Sequence, residues 1–417
     1  MTCTATTAEP MGPTRAATSA TGSPWWERLP DDFRGHGHGR GGGSGGRDGN
    51  DGSNSDAVRP RLLVASVAAL ERVARVPLAI MVAAATQRSL AAQGGAAHEL
   101  EALRFYEPLA RAGDAARVFM PPRKGIAIEE RALPSIGSGS TEIKRRELRF
   151  ASPFTALNPA AAAGIARMER SAVAHAEHWC HGDRPRPTLI VAHGFAFDAP
   201  WLNAHALGLR ALYRAGYDIL LSTFPHHGPR AELNLPFNGY GVFGSELLHF
   251  NEVTLLAIHD LRVFIDHLKS RGVERIGITG ISLGGYTAAL LASVDERLAY
   301  CMPVVPAVTP IDAFLEWQPT GIMLAALMRR HGIGVAEMRA LVAIHNPLTY
   351  ASPMAGERVL IIAGAGDRVT GPNHVQLLQR HWPGSTLHWF PGNHLLHFGR
   401  RNYLRLMREH IDRWSRP

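Results

Sequence analysis

ERIGITGISLGGYTAAL, residues 274–290, sets a serine among glycines where an apolar run gives way to a helical pattern. Glycine is unfavourable inside either element, so Gly280, Gly284 and Gly285 mark a backbone path that other residues resist. The string Gly280-Ile281-Ser282-Leu283-Gly284 fits G-x-S-x-G. In a strand–turn–helix context that pattern strains the backbone at the serine and projects its Oγ from the sheet. The chain carries its own decoy: GGSGG at residues 42–46 fits the same string but has no strand before it and no helix after it. The bland alternative at Ser282 is a tight turn whose serine caps a helix.

A serine hydroxyl is a weak nucleophile without a base and an acid to orient that base. LIIAGAGDRVTGP (360–372) places Asp367 just past an apolar strand, and WFPGNHLLHF (389–398) places His394 in a loop after the next one. The order Ser282, Asp367, His394 is the one expected for a triad on such a sheet, with His394 as base and Asp367 holding its tautomer. His397 is the nearest rival to His394, and His388 falls inside the strand. Earlier, VAHGFAFDAPW (191–201) sets His193-Gly194-Phe195 directly after a strong strand. The backbone N–H of Phe195 and that of Leu283, at the start of the helix, are candidate donors to an oxyanion.

Outward from these motifs, short β-branched runs alternate with long amphipathic stretches from residue 145 onward, the pattern of βα units and a largely parallel sheet. Strands are predicted in Glu147–Phe150, Val173–Trp179, Thr188–His193, Tyr217–Phe224, Arg275–Thr279, Ala299–Val305, Arg358–Gly364 and Thr386–Phe390. A long helix is predicted from about Ser245 to Lys269. About fifty residues separate the strand ending at Val305 from the one starting at Arg358, far above ordinary loop length. They include GIMLAALMRRHGIGVAEMRALVAIH (321–345), which reads as two helices of a lid, or else as extra helix covering the core.

The four motifs AHGF, GISLGG, GAGDRV and PGNH, in this order, resemble the α/β-hydrolase superfamily over roughly residues 145 to 410. The resemblance implies an α/β fold with a mostly parallel eight-stranded sheet flanked by helices and a helical cap (about 307–352) between strands six and seven. It implies Ser282 as nucleophile, Asp367 as acid, His394 as base, Phe195 and Leu283 as oxyanion donors, and no metal or cofactor. FPHHGPR (224–230) matches a loop where many members have Gly-His-Gly; His226 replaces the first glycine, and His226 with His227 is expected to border the site structurally. The implied activity is cleavage of a carboxylic ester through an acyl-enzyme. Trp317, Ile322, Met323, Leu324, Leu327 and Met328 in the cap favour an apolar substrate portion, a weak inference because cap helices need apolar faces to pack. Acyl transfer and amide hydrolysis use the same triad, and a non-catalytic binding protein on this fold is the alternative from another class.

Composition bounds the rest. The 417 residues are 46% hydrophobic, enough for a sizeable core. Residues 1–58 hold a Gly, Asp and Ser tract with little to pack and are expected to be disordered, followed by a helical extension over 59–144 and the hydrolase domain over 145–417. The net charge of +8 is almost all arginine and scattered apart from the C-terminal stretch, so it argues composition rather than a nucleic-acid footprint. Cys3, Cys180 and Cys301 are odd in number and far apart, which fits a reducing compartment, and a cytoplasmic location is expected. The apolar stretch 61–85 is broken by Glu71, Arg72, Arg75 and Pro77; it reads as two amphipathic helices, packed on the domain or resting on a membrane surface. His36 and His38 make at best a weak metal site. The expected partner is a small ester or lipid-like substrate.

Overall fold

The structure, a computed structural model, describes residues 22–33, 61–76, 79–80, 83, 95–243 and 246–415. Nine strands form one sheet: β1 (Glu129–Ile136), β2 (Ile143–Ala151), β3 (Val173–Trp179), β4 (Thr188–Ala192), β5 (Asp218–Ser222), β6 (Ile276–Ile281), β7 (Tyr300–Val304), β8 (Leu360–Gly364) and β9 (Thr386–Phe390). Their spatial order is β1-β2-β3-β5-β4-β6-β7-β8-β9. The pairings from β1 to β5 are antiparallel; those from β5 through β4, β6, β7 and β8 to β9 are parallel. The parallel strands β4, β7 and β8 are buried along their whole length, as strands covered on both faces must be.

Alternate residues of each central strand feed two cores. Ile190, Leu220, Ile278 and Ile361 join one that includes the helices Leu247–Ser270 and Leu283–Val294. Leu189, Val191, Ile219, Leu221 and Ile362 join the other, closed by Tyr403, Met407 and Ile411 of the helix Arg400–Ser415. This two-faced burial fixes the register of β6 and so the end from which Ser282 emerges.

The sheet has nine strands rather than the eight expected. The ninth is β1, which lies within the stretch expected to be a helical extension. Its residues are nearly all exposed, and it pairs to β2 at the sheet edge through Glu129–Arg149, Glu130–Arg146 and Arg131–Glu147 ion pairs. A strand held by cross-strand charges shows no hydrophobic alternation. The rest of that extension is helical in Arg61–Ala74, Gly95–Arg104, Tyr106–Ala112 and Ala115–Val118.

Residues 22–33 also depart from expectation, since they lie within the stretch set aside as disordered. Trp25 and Trp26 are buried in the main core, and Trp25 Nε1 donates to Thr349 Oγ1 at 3.0 Å. The fully buried Arg339, paired with Asp312 at 2.6 Å, donates to the carbonyl oxygens of Leu29 and Pro30 at 2.9 Å each. The fork geometry of a guanidinium suits this triple use. Residues 1–21 and 34–60, which carry Cys3, His36 and His38, lie outside the described residues.

The insertion between β7 and β8 folds as helices Pro310–Glu316, Thr320–His331 and Val335–Leu341. Its two halves are used differently. Leu324, Met328 and the run from Met338 to Ile344 pack into the main core, whereas Ala313 and Trp317 form a small cluster with Ala79 and Val369. Of the six apolar cap residues expected to favour an apolar substrate, Trp317 alone lines the site cavity, and Ile322 is 64% exposed.

Candidate active site

Ser282 caps the N-terminus of the helix Leu283–Val294 at the end of β6, with φ 59° and ψ −114°. A non-glycine residue there is strained, and the surroundings hold it in place. Its N–H donates to Val304 O at 2.9 Å. A Cβ at Gly280 would lie 2.4 Å from the Gly284 backbone, and one at Gly285 2.7 Å from Val304 O. The glycines therefore serve a close approach of helix to sheet, not a positive φ of their own.

Asp367 leaves the carboxyl end of β8 and His394 that of β9. Their side chains meet Ser282 in one chain of contacts: Ser282 Oγ lies 2.8 Å from His394 Nε2, and His394 Nδ1 lies 2.9 Å from Asp367 Oδ2. All three groups expected to act together are brought together. His397 is not among them, for its Nε2 bonds His394 O at 3.1 Å and its Nδ1 bonds the Tyr403 hydroxyl at 2.8 Å. Asp367 is saturated: Oδ1 accepts the N–H groups of Val369 and Thr370 at 2.8 and 2.7 Å, and Oδ2 accepts Thr370 Oγ1 at 2.9 Å. Burial alone would raise its carboxyl, but the charge of His394 and these hydrogen bonds hold it below the usual carboxylate range. Burial would lower His394, and the Asp367 charge and hydrogen bond, with the Glu71 charge, instead raise it. The imidazole is thus set to accept a proton when one is released beside it.

Leu283 opens the helix after Ser282, so its N–H is one that no intrahelical carbonyl can take. Gly194 abuts the serine; a Cβ on it would sit 3.8 Å from Ser282 Cβ, which puts Phe195 at the same end of the sheet. The loop carrying Phe195 is pinned by two buried histidines. His193 Nδ1 donates to Gly194 O at 2.7 Å while its Nε2 accepts from Phe224 N at 3.0 Å. His227 Nδ1 donates to Pro225 O at 3.0 Å while its Nε2 accepts from Ala196 N at 3.1 Å. Both rings need one protonated and one free nitrogen, and burial keeps both below the usual histidine range. So His227 acts on the loop itself, through Ala196, whose own φ is 56°. His226, also at positive φ, contacts His249 across 2.8 Å and does not line the space over Ser282.

A cavity of about 740 Å³ opens over Ser282. Phe195, Phe243, Phe250, Phe314 and Trp317 supply aromatic walls, and His394 and Thr370 reach it from the sheet edge. Two further residues line it that sequence reasoning had placed only on an amphipathic helix, Glu71 and Arg75. The signal was present: buried Ala68, Glu71 and Ala79 with half-buried Arg75 follow helical spacing, so an acid occupies an inward position. Among the described residues no group of three or more His, Cys, Asp or Glu side chains is arranged to hold a metal ion. Among them, too, no helix is long and apolar enough to cross a membrane.

Comparison with known proteins agrees with this architecture. Residues 240–328, which contain Ser282, match the family described as alpha/beta hydrolase domain containing 18. Two curated proteins of Mycobacterium tuberculosis, from strains CDC 1551 / Oshkosh and ATCC 25618 / H37Rv and each described as uncharacterized, are 32% identical over 231 residues. That alignment covers 55% of this chain, and the chain spans about half the length, 54%, of these relatives. Among solved structures, acetyl xylan esterase 1 from Thermoanaerobacterium sp. JW/SL YS485 superposes with a TM-score of 0.51 at 15% identity, covering 76% of this chain and 94% of that one. At that identity the likeness speaks for the fold. With the sheet order, the strained Ser282 turn and these matches together, the chain has the α/β-hydrolase fold, and residues 240–328 resemble a family of that superfamily.

Proposed function

We propose that this protein is a serine hydrolase that cleaves carboxylic esters with an apolar acyl or alcohol part. The observation that carries the reading is the unbroken Ser282–His394–Asp367 contact chain at the floor of an aromatic-walled cavity. In this reading Ser282 Oγ attacks the ester carbonyl carbon as His394 Nε2 takes its proton. The negative charge on the carbonyl oxygen is met by the N–H groups of Leu283 and Phe195, each such donor contributing on the order of 10²–10³ in turnover. Collapse expels the alcohol, which recovers the proton from His394. Water, deprotonated by the same imidazole, then frees the acid and restores Ser282. Asp367 remains ionised throughout and steadies the imidazolium.

Supporting the apolar preference are the ring faces lining the cavity, which offer burial worth ~0.8 kcal/mol per methylene. The test is direct. The purified chain should hydrolyse p-nitrophenyl butyrate and be labelled at Ser282 by a fluorophosphonate, the adduct located by peptide mass spectrometry. Ser282→Ala should lose both. Equal hydrolysis by the wild type and Ser282→Ala would end the reading.

A further inference from the structure

Glu71 lies on the helix Arg61–Ala74, more than two hundred positions along the chain from Ser282, yet it is 1% exposed and sits against the triad. Its carboxylate accepts backbone N–H groups from both loops that carry triad members. Oε1 takes His394 N at 2.7 Å and Leu395 N at 3.3 Å; Oε2 takes Arg368 N at 2.5 Å. One turn on, Arg75 donates to the carbonyl oxygens of Arg368 and, at 3.2 Å, of Glu316. Further along, Thr320 Oγ1 donates to Ala79 O at 2.7 Å, tying the same segment to the inserted helices. An acid buried this deeply is costly unless its oxygens are paired, and here three N–H groups pair them.

We propose that Glu71 is a positioning residue: it clamps the Asp367 and His394 loops into one unit and sets a second negative charge behind the His394 imidazole. The inference rests on the proposed role of Ser282, His394 and Asp367. Two carboxylates then bracket His394, Asp367 at Nδ1 and Glu71 at the backbone N–H. The arrangement is sensitive to protons. Burial and the Asp367 charge push the Glu71 carboxyl up to about 7, against the pull of His394 and the N–H groups of Arg368 and His394. The charged groups that act on it are Arg75 from its own helix, Asp367 and Arg368 after β8 and His394 after β9; Arg72, and Glu316 at the end of the helix Pro310–Glu316, act in turn on Arg75 and Arg368. As pH falls through neutrality Glu71 takes up a proton, loses an acceptor site and releases its charge from behind His394. Activity therefore needs two groups to be proton-free, not one.

The experiment follows the rate of Ser282 phosphonylation by a fluorophosphonate from pH 5 to 9 in the full chain, with urea midpoints recorded alongside. In the wild type the acid limb should approach a slope of two on logarithmic axes. In Glu71→Gln the slope should fall to one, the limb should move to lower pH, and the plateau should drop by roughly tenfold, a fraction of the ~10²–10⁴ that a well-placed base supplies. Glu71→Asp, which keeps the charge, should retain the two-proton limb. Leu70→Ala, exposed on the same helix, should match the wild type. A purely structural role would lower the urea midpoint without moving the limb. A wild-type slope of one, or a Glu71→Gln profile superimposable on the wild type, overturns the proposal; if Glu71→Gln does not fold, the wild-type slope alone decides. No labelling of wild-type Ser282 at all sinks instead the functional reading beneath it.

Discussion

A Cβ added at Gly284 would lie 2.0 Å from the carbonyl oxygen of Ala192, the last residue of β4. The helix after Ser282 thus runs against bare backbone of the neighbouring strand. Nothing there is the yielding tip of a side chain, so a methyl group must push helix and strand apart. Gly284→Ala is expected to cost about 3 kcal/mol or more, the upper part of the usual range for overpacking, and to abolish Ser282 labelling even where the chain stays folded. Gly164→Ala, in a helix with nothing within 4 Å of the added methyl, should be neutral or stabilise by about 0.4–1 kcal/mol. Urea denaturation of the two variants, with fluorophosphonate labelling, makes the comparison. A Gly284→Ala chain of wild-type midpoint and labelling rate would refute the packing argument.

How much of this was open to a reader of the sequence depends on how local each feature is. The order Ser282, Asp367, His394 and the strands before them are written in short windows, because a buried parallel strand is a continuous apolar run and the residue after it sits at the sheet edge. Helical spacing could show Glu71 only as an acid at an inward position; its role was hidden, because its partners are backbone N–H groups at Arg368 and His394, which leave no mark on residue type. Trp25 and Trp26 were hidden by their setting, since their core contacts lie across more than three hundred residues at Thr349 and Arg339. β1 was missed because charge pairing, not apolar alternation, sets its register. The cap's apolar residues were legible as apolar, but periodicity could not divide those facing the core, such as Leu324 and Met328, from Trp317, which faces the site.

The fold should be acid-labile well above the range of ordinary carboxylates. Burial holds six imidazoles far down: His226 and His345 at about 3, and His178, His249, His381 and His397 at about 4. Burial disfavours the charged form of each ring. His345 meets the Tyr286 hydroxyl at 2.6 Å and Asn251 Oδ1 at 3.0 Å, and His226 with His249 can share only one proton across their 2.8 Å contact. A folded value below the unfolded one, near 6.5, means the stabilising preference is whole above pH 6.5 and is lost as pH falls toward the folded values. Glu71 and Glu99, both raised to about 7 chiefly by burial, work the other way and favour the fold as pH falls from 7 toward 4.5. For these eight groups alone, six imidazoles that gain a proton on unfolding near pH 5 less two carboxyls that lose one leave a net uptake of about four, a slope of at most roughly 5 kcal/mol per pH unit. Against a usual total stability of about 5–15 kcal/mol, unfolding is expected by about pH 5. Urea midpoints from pH 8 to 4 test this; a midpoint constant down to pH 4.5 would show that these rings are solvated.

The cavity wall offers a way to ask which part of a substrate it holds. Ala307, half-buried after β7, lines the space over Ser282 and packs, as Phe195 and Phe243 do, against the cluster that contains Leu283 and Tyr286. A phenyl ring in its place would project into the cavity, leaving Ser282, His394 and Asp367 untouched. If the acyl chain lies there, Ala307→Phe should leave kcat/KM for p-nitrophenyl acetate within about twofold of the wild type. For the decanoate it should fall by about 10–10²-fold, since excluding even a few methylenes forfeits roughly 1–3 kcal/mol of transition-state binding. The ratio of the two esters, measured on one preparation, cancels any difference in folded fraction. A uniform loss across both would place the acyl chain elsewhere and make the aromatic wall the seat of the leaving alcohol, a reversal that a matched series of acetate esters with lengthening alcohols would then register as the steeper trend.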